Sequence, residues 1–190
     1  MNSDNKVSTR ARILTAASDI IRDQGLERLT LEAVAKEAGL SKGGLLYHFP
    51  SKEALITGMV EELTSNYAAD IQERVTNDSQ ARGKWSRAYV ESTFSGLDNG
   101  FPMSSVLAAV LFTNPKLLEE MQTQYGIWQK KIENDGIDPV RASIVRLAVD
   151  GLWFSEVFGL SPLDQKLRER VFYELINELK VEDEKWPIYS

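Results

Sequence analysis

The chain has 190 residues, 43% of them apolar, with 22 Lys/Arg against 28 Asp/Glu, one histidine and no cysteine. That length holds one large domain or two small ones. Without cysteine there is no disulfide framework and no thiolate nucleophile. With a single histidine the usual zinc sets and the Ser–His systems are nearly exhausted, so neither an enzyme nor a cofactor is expected. The charge is uneven: residues 1–55 carry eight Lys/Arg against seven Asp/Glu, a net of +1, and residues 56–190 carry fourteen against twenty-one, a net of −7. An acidic body behind a neutral-to-basic head argues against a non-specific nucleic-acid coat and permits a focused basic face. The apolar stretches fall short of the roughly 18 to 20 residues that a membrane span needs. No apolar segment precedes a small-residue cleavage site near Met1, so no signal peptide is expected and the expected location is cytoplasmic.

Val7 to Asp23 is the first periodic segment, with Ile13, Leu14, Ala17, Ile20 and Ile21 on one stripe and Gly25 as its stop. A second helix runs from a Thr30 cap to Ala38-Gly39, where glycine permits the left-handed backbone of a chain reversal. Ser41 caps a third helix of roughly two turns, which Pro50 ends. Two helices joined by a glycine-containing turn form the unit that seats its second member in a major groove. Ser51 opens a fourth helix to about Val75, and a fifth covers Ala81 to Phe94. Asn114-Pro115, Asp138-Pro139 and Ser161-Pro162 each pair a capping side chain with the residue best suited to the first helical position, and Asp164 completes a capping box with Ser161. The expectation is all-α with about nine helices. A three-helix helix-turn-helix domain occupies residues 1–55, and a helical-bundle body for ligand binding and dimerisation occupies residues 56–190.

No carboxylate occurs from Ala38 to Lys52, which suits a segment that faces phosphate. Tyr47, His48 and Lys52 are assigned mainly to phosphates, and Lys42 to a phosphate or a guanine edge. Gly43 and Gly44 each cost a helix about 1 kcal/mol against alanine, which a close approach of backbone to DNA would offset. With Leu45 they are assigned to groove fit. Ser41 and the free amides behind it open the helix, Thr30 anchors the opposite backbone and Arg10 serves as an arm. Leu46 and Phe49 are assigned to the core. Singly, each has an ordinary structural explanation, since a lone histidine is more often structural and a tyrosine can fill a core. The combination of residue types and spacing carries the assignment.

Three segments carry a resemblance: Leu29-Thr30-Leu31-Glu32-Ala33-Val34-Ala35-Lys36-Glu37-Ala38-Gly39-Leu40-Ser41, Gly44-Leu45-Leu46-Tyr47-His48-Phe49 and Ser51-Lys52-Glu53-Ala54-Leu55. With the stripe of the first helix they resemble the N-terminal domain of the TetR family of bacterial transcriptional regulators, over residues 9–60. The resemblance implies a homodimer, usually a repressor, which binds a palindromic operator and is released by a small molecule. It also implies that Tyr47 touches backbone and groove and that His48 and Lys52 touch phosphate. Gly43 departs from it, because many relatives have a larger residue there. Beyond about residue 65 only the helical layout is similar, although Asp150-Gly151-Leu152-Trp153-Phe154 is similar to a branch that includes regulators of multidrug efflux.

The helix expected over Asp138 to Leu160 is apolar on almost every side, as a helix buried on two sides would be. Ile144, Leu147, Gly151 and Phe158 on it, with Leu167, Val171 and Leu175 on the last helix, are the expected dimer seam. Two such helices per subunit would make a four-helix interface; burial within one subunit is the alternative. Aromatic and methionine residues suggest a ligand pocket: Trp85, Tyr89, Phe101, Met103, Leu107, Met121, Tyr125, Trp128, Trp153 and Phe154. For any single one of them plain core packing is the favoured explanation, and the polar chemistry of the group is what points to a pocket. Glu156 has no basic residue within four positions, so if buried it needs a distant partner or a cationic ligand. Asp150 can pair with Arg146 one turn earlier. The competing class is a helical protein-interaction or structural domain that reads no DNA.

Overall fold

The computed structural model describes residues 8–98 and 114–180, which form eight α-helices, one 3-10 turn and no strand. They divide into two compact units, one holding residues 8–65 and 114–117 and the other residues 66–98 and 118–180.

In the first unit, α1 (Thr9–Gln24) starts where the Ser8 side chain accepts the Ala11 N–H, and it buries Ile13, Leu14, Ala16, Ala17, Ile20 and Ile21 on one face. A 3-10 turn over Leu26–Arg28, which periodicity does not announce, leads to α2 (Leu31–Glu37), capped by the Thr30 hydroxyl on the Ala33 N–H. Gly39, at φ 65°, reverses the chain. The Arg12 guanidinium donates to the Ala38 carbonyl at 2.6 Å and ties α1 to that turn. α3 (Lys42–His48) is capped by Ser41, whose hydroxyl accepts the Gly44 N–H at 3.1 Å. Leu45 and Phe49 insert between α1 and α2 beside Leu29, Val34, Ala35 and the first turns of α4 (Lys52–Asn77). Here the expected roles exchange. Leu45, assigned to groove fit, is 0% exposed, and Leu46, assigned to the core, is only partly buried.

α4 contributes to both units. The second also contains α5 (Lys84–Asp98), α6 (Pro115–Glu133), α7 (Pro139–Phe158) and α8 (Gln165–Glu178). Its core holds Ile71, Val75, Tyr89, Val90, Phe94, Trp128, Ile132, Val145, Val149, Leu152 and Leu179. α5 starts three residues later than expected. The buried Asp135 takes the Gly83 N–H on its carbonyl at 2.7 Å and the Ser86 N–H on its carboxylate at 2.8 Å, so the cap is lent by a distant loop. α7 begins as expected, with Asp138 accepting the Arg141 N–H ahead of Pro139. α8 begins later than Ser161, because Asp164 is itself the cap, on the Leu167 N–H at 2.8 Å. Pro102 is a further proline at an expected helix start, and it lies outside the described residues.

Candidate functional site

The short α3 turns one face inward through Leu45 and the other outward. Tyr47 is 85% exposed, Lys42 and Gly43 are exposed, and His48 is half-buried with its ring edge-on to Tyr47 at 5.2 Å. An added Cβ at Gly43 would meet nothing within 4 Å, and one at Gly44 would meet only the Ser41 hydroxyl, at 3.3 Å. Gly43 thus has open space where a side chain would stand, whereas a side chain at Gly44 would crowd the hydroxyl that caps the helix. Thr30 and Ser41 are exposed and spend their hydroxyls as caps. Lys52 is exposed with no ion-pair partner among the described residues.

Two other cations are already engaged. Lys42 donates to the Glu32 carboxylate at 2.5 Å, and that hydrogen bond, with the Lys42 charge, holds the carboxyl below its usual range. Arg10, expected as an arm, instead pairs with Glu61 at 3.3 Å and Glu62 at 3.2 Å and lies 5.5 Å from the Phe49 ring centre. The Phe49 ring presses on α4 so closely that a Cβ on Gly58 would lie 2.6 Å from it. Arg10 is therefore part of the joint that fixes the C-terminal end of α3, not a free arm. Glu32 was not among the expected site residues. It lies outside the carboxylate-free run, and only the adjacency of the first turns of α2 and α3 brings it there.

In the second unit, Tyr67, Tyr89 and Tyr125 each meet Trp128 edge to face, and Tyr67 also meets Tyr89, with ring centres 5.3 to 6.1 Å apart. The Tyr89 hydroxyl donates to Asp150 Oδ1 at 2.5 Å, Arg146 Nη1 donates to Oδ2 at 2.5 Å, and the Tyr67 and Thr93 hydroxyls lie 2.6 Å apart. Burial pushes all three tyrosine hydroxyls upward and raises the Asp150 carboxyl, which Tyr89 and Arg146 pull back down. The expected pair of Arg146 and Asp150 thus sits at the edge of an aromatic cluster, and Tyr67 belongs to that cluster although the sequence reading passed it over.

Of the other residues assigned to the pocket, Trp85 lies elsewhere, with the Lys131 ammonium 3.8 Å from its ring centre, and Met121 and Trp153 are half-buried. Phe154 is exposed and stacks on Phe158 at 4.5 Å, so it belongs to the outer face of α7. Glu156 has the distant partner it needed: Arg168 on α8, at 3.7 Å. Phe101, Met103 and Leu107 lie outside the described residues. On α7, Val140, Ile144, Leu147 (58%), Phe154 and Phe158 form an exposed apolar row at helical spacing, and Gly151 stands in it with open space around its Cβ position. Leu167 on α8 is exposed beside them in character, but Val171 and Leu175 turn inward onto the core of their own unit.

Residues 13–59 match the family model described as bacterial regulatory proteins, tetR family, and residues 83–180 match the tetracyclin repressor-like C-terminal domain. The chain belongs to the TetR family. The HTH-type transcriptional regulator UidR of Escherichia coli (strain K12) is 42% identical over 52 residues, which cover 27% of this chain and 26% of UidR. The A-factor receptor protein of Streptomyces griseus is 37% identical over 59 residues, 31% of this chain and 21% of that one. The chain thus spans about a quarter of the length of these curated relatives. A TetR-family transcriptional regulator from Haemophilus influenzae Rd shares the fold at a TM-score of 0.65 and 15% identity, over 92% of this chain and 98% of its own. The TetR family is one of regulators and not of enzymes, and among the described residues no helix is long and apolar enough to cross a membrane.

Proposed function

We propose that this TetR-family chain is a cytoplasmic, ligand-responsive repressor that binds a palindromic operator as a homodimer. The observation that carries the reading is the outward face of α3. Tyr47 and Gly43 stand clear of the protein, Lys42 is exposed beside them although paired with Glu32, and no acidic residue lies on that helix. Tyr47, His48 and Lys52 hold the duplex by its phosphates, while Gly43 and Gly44 let the helix sit deep in the groove. The exposed row on α7, continued by Leu167, is the face on which two copies pair, and two-fold pairing presents two recognition helices to successive major grooves.

The inducer is a small lipophilic molecule received beside Tyr89, Tyr125 and Trp128. Asp150 is taken up by Arg146 and Tyr89, and Glu156 lies 3.7 Å from Arg168 although its buried Oε1 accepts no hydrogen bond among the described residues, so the nearby cations favour an uncharged molecule over a cationic one. A ligand that favours a body conformation in which the two heads no longer match the operator antagonises DNA, and DNA antagonises it equally. Selection of fragments from genomic DNA by the purified protein, followed by footprinting, tests the reading. Enrichment of a palindrome protected on both half-sites is expected. No enriched fragment would sink it and favour a protein-interaction domain.

A further inference from the structure

Folding returns one carboxylate to a face that the sequence keeps clear of them. Glu32, in the first turn of α2, and Lys42, the first residue of α3, are ten positions apart, and their charged ends meet at 2.5 Å. Both side chains are more than three-fifths exposed, at 63% and 61%. The pair does not hold the two helices together. Gly39 turns the chain, Arg12 clasps the Ala38 carbonyl, and Val34 and Leu45 are buried to 0% between the helices. A surface ion pair without a packing role contributes little to stability. Its evident effect is on Lys42, which adjoins Gly43 at the start of the recognition helix and is already neutralised. Lys52, at the start of α4, shows the contrast: it is exposed and has no ion-pair partner among the described residues.

We propose that Glu32 is a specificity-determining residue of the DNA-reading head, holding the Lys42 ammonium against α2 and so withholding it from random duplex. The inference rests on the reading that α3 faces DNA. Phosphate contacts raise affinity for every sequence alike, and each phosphate neutralised adds about 0.9 to the slope of log affinity against log salt. A lysine that keeps its carboxylate releases no counterion and adds nothing to that slope. On a fitting site, where α3 is fully seated, Lys42 exchanges Glu32 for a guanine edge or a fixed phosphate. On other sequences the exchange brings no gain, and the ion pair persists. Glu32 therefore subtracts from non-specific binding more than from operator binding.

Four full-length proteins test this: wild type, Glu32→Gln, Lys42→Met and the double variant. Each is titrated with a labelled random-sequence duplex between about 50 and about 200 mM salt, where phosphate contacts dominate. Glu32→Gln should tighten binding by up to about fivefold, the factor an exposed ion pair can hold back. It should also steepen the salt slope by about 1, and both effects should vanish in the Lys42→Met background. With a fragment recovered by genomic selection the gain should be smaller, so that the ratio of specific to random affinity falls. An equal gain with and without Lys42 would reduce Glu32 to a repelling charge and overturn the proposal. No gain at all, or a ratio that holds or rises, would overturn it too. If the wild type binds neither duplex at the lowest salt, the DNA-reading face itself is wrong. If it binds and Glu32→Gln changes nothing, only the role of Glu32 falls.

Discussion

Deleting one oxygen, by Tyr89→Phe, should destabilise the second unit in a way that depends on pH. The Tyr89 ring is 2% exposed and packs edge-on against Tyr67 and Trp128, and phenylalanine keeps that shape. What is lost is the hydroxyl that donates to Asp150 at 2.5 Å. A hydrogen bond to an ionised group contributes about 1.5 to 3 kcal/mol, and a neutral one about 0.5 to 1.5 kcal/mol. Burial already raises the Asp150 carboxyl above its unfolded value, with Tyr89 and Arg146 limiting the rise. A carboxyl raised by folding binds its proton more tightly in the folded state, so ionising it costs stability as pH climbs from the ordinary carboxylate range through the folded value. Tyr89→Phe lifts that folded value further. The variant should therefore lose about 1.5 to 3 kcal/mol in neutral solution and only about 1 kcal/mol once Asp150 is protonated. Urea unfolding at one protein concentration, followed by tryptophan emission at about pH 8 and at a pH below the ordinary aspartate value of about 3.9, measures both penalties. Equal penalties at the two pH values, or none at either, would show that Tyr89 does not stabilise an ionised Asp150.

Three further outcomes follow from the placement of single residues. Leu45→Ala should cost the first unit about 2 to 5 kcal/mol, the range for truncating a buried leucine, whereas Leu46→Ala should cost well under half of that; thermal unfolding distinguishes the two. Lys52→Ala should weaken specific and random duplex binding by similar factors and reduce the salt slope by about 1, so a lost sequence preference at unchanged slope would make Lys52 a base reader. Leu147→Arg, in the middle of the exposed row on α7, should yield monomers in sedimentation velocity, and an intact dimer would place the interface elsewhere.

The caps were legible in the sequence because they act over three residues: Thr30, Ser41 and Asp138 each accept the amide that their spacing predicts. The phase of α3 was not. Leu46 and Phe49 are three apart, Leu45 and Phe49 are four apart, and a helix of seven residues satisfies either spacing, so only the neighbouring α1 and α2 decide which leucine is buried. Polar partners were hidden for a related reason. Glu32 finds Lys42, Glu156 finds Arg168 and Asp150 finds Tyr89 across turns or between helices, beyond any window of local sequence. Tyr67 escaped notice because Asn66 and Asp70 beside it make that stretch of α4 read as solvated. The body as a whole was legible as helices and as a surplus of aromatic residues, but which of these share a cluster depends on helix packing.

Under the proposed pairing, the apolar row on α7 would link the abundance of this protein to its action. Apolar surface that a second copy covers is recovered by mass action, so the unfolding temperature should climb with protein concentration. Where few subunits are present, the number of pairs grows as the square of the number of chains. A modest rise in expression then moves operator occupancy more than proportionally, and a modest fall releases it as sharply. Five side chains at the surface of one helix would thereby, in the proposed dimer, set a copy-number threshold that no contact with DNA or ligand is needed to create.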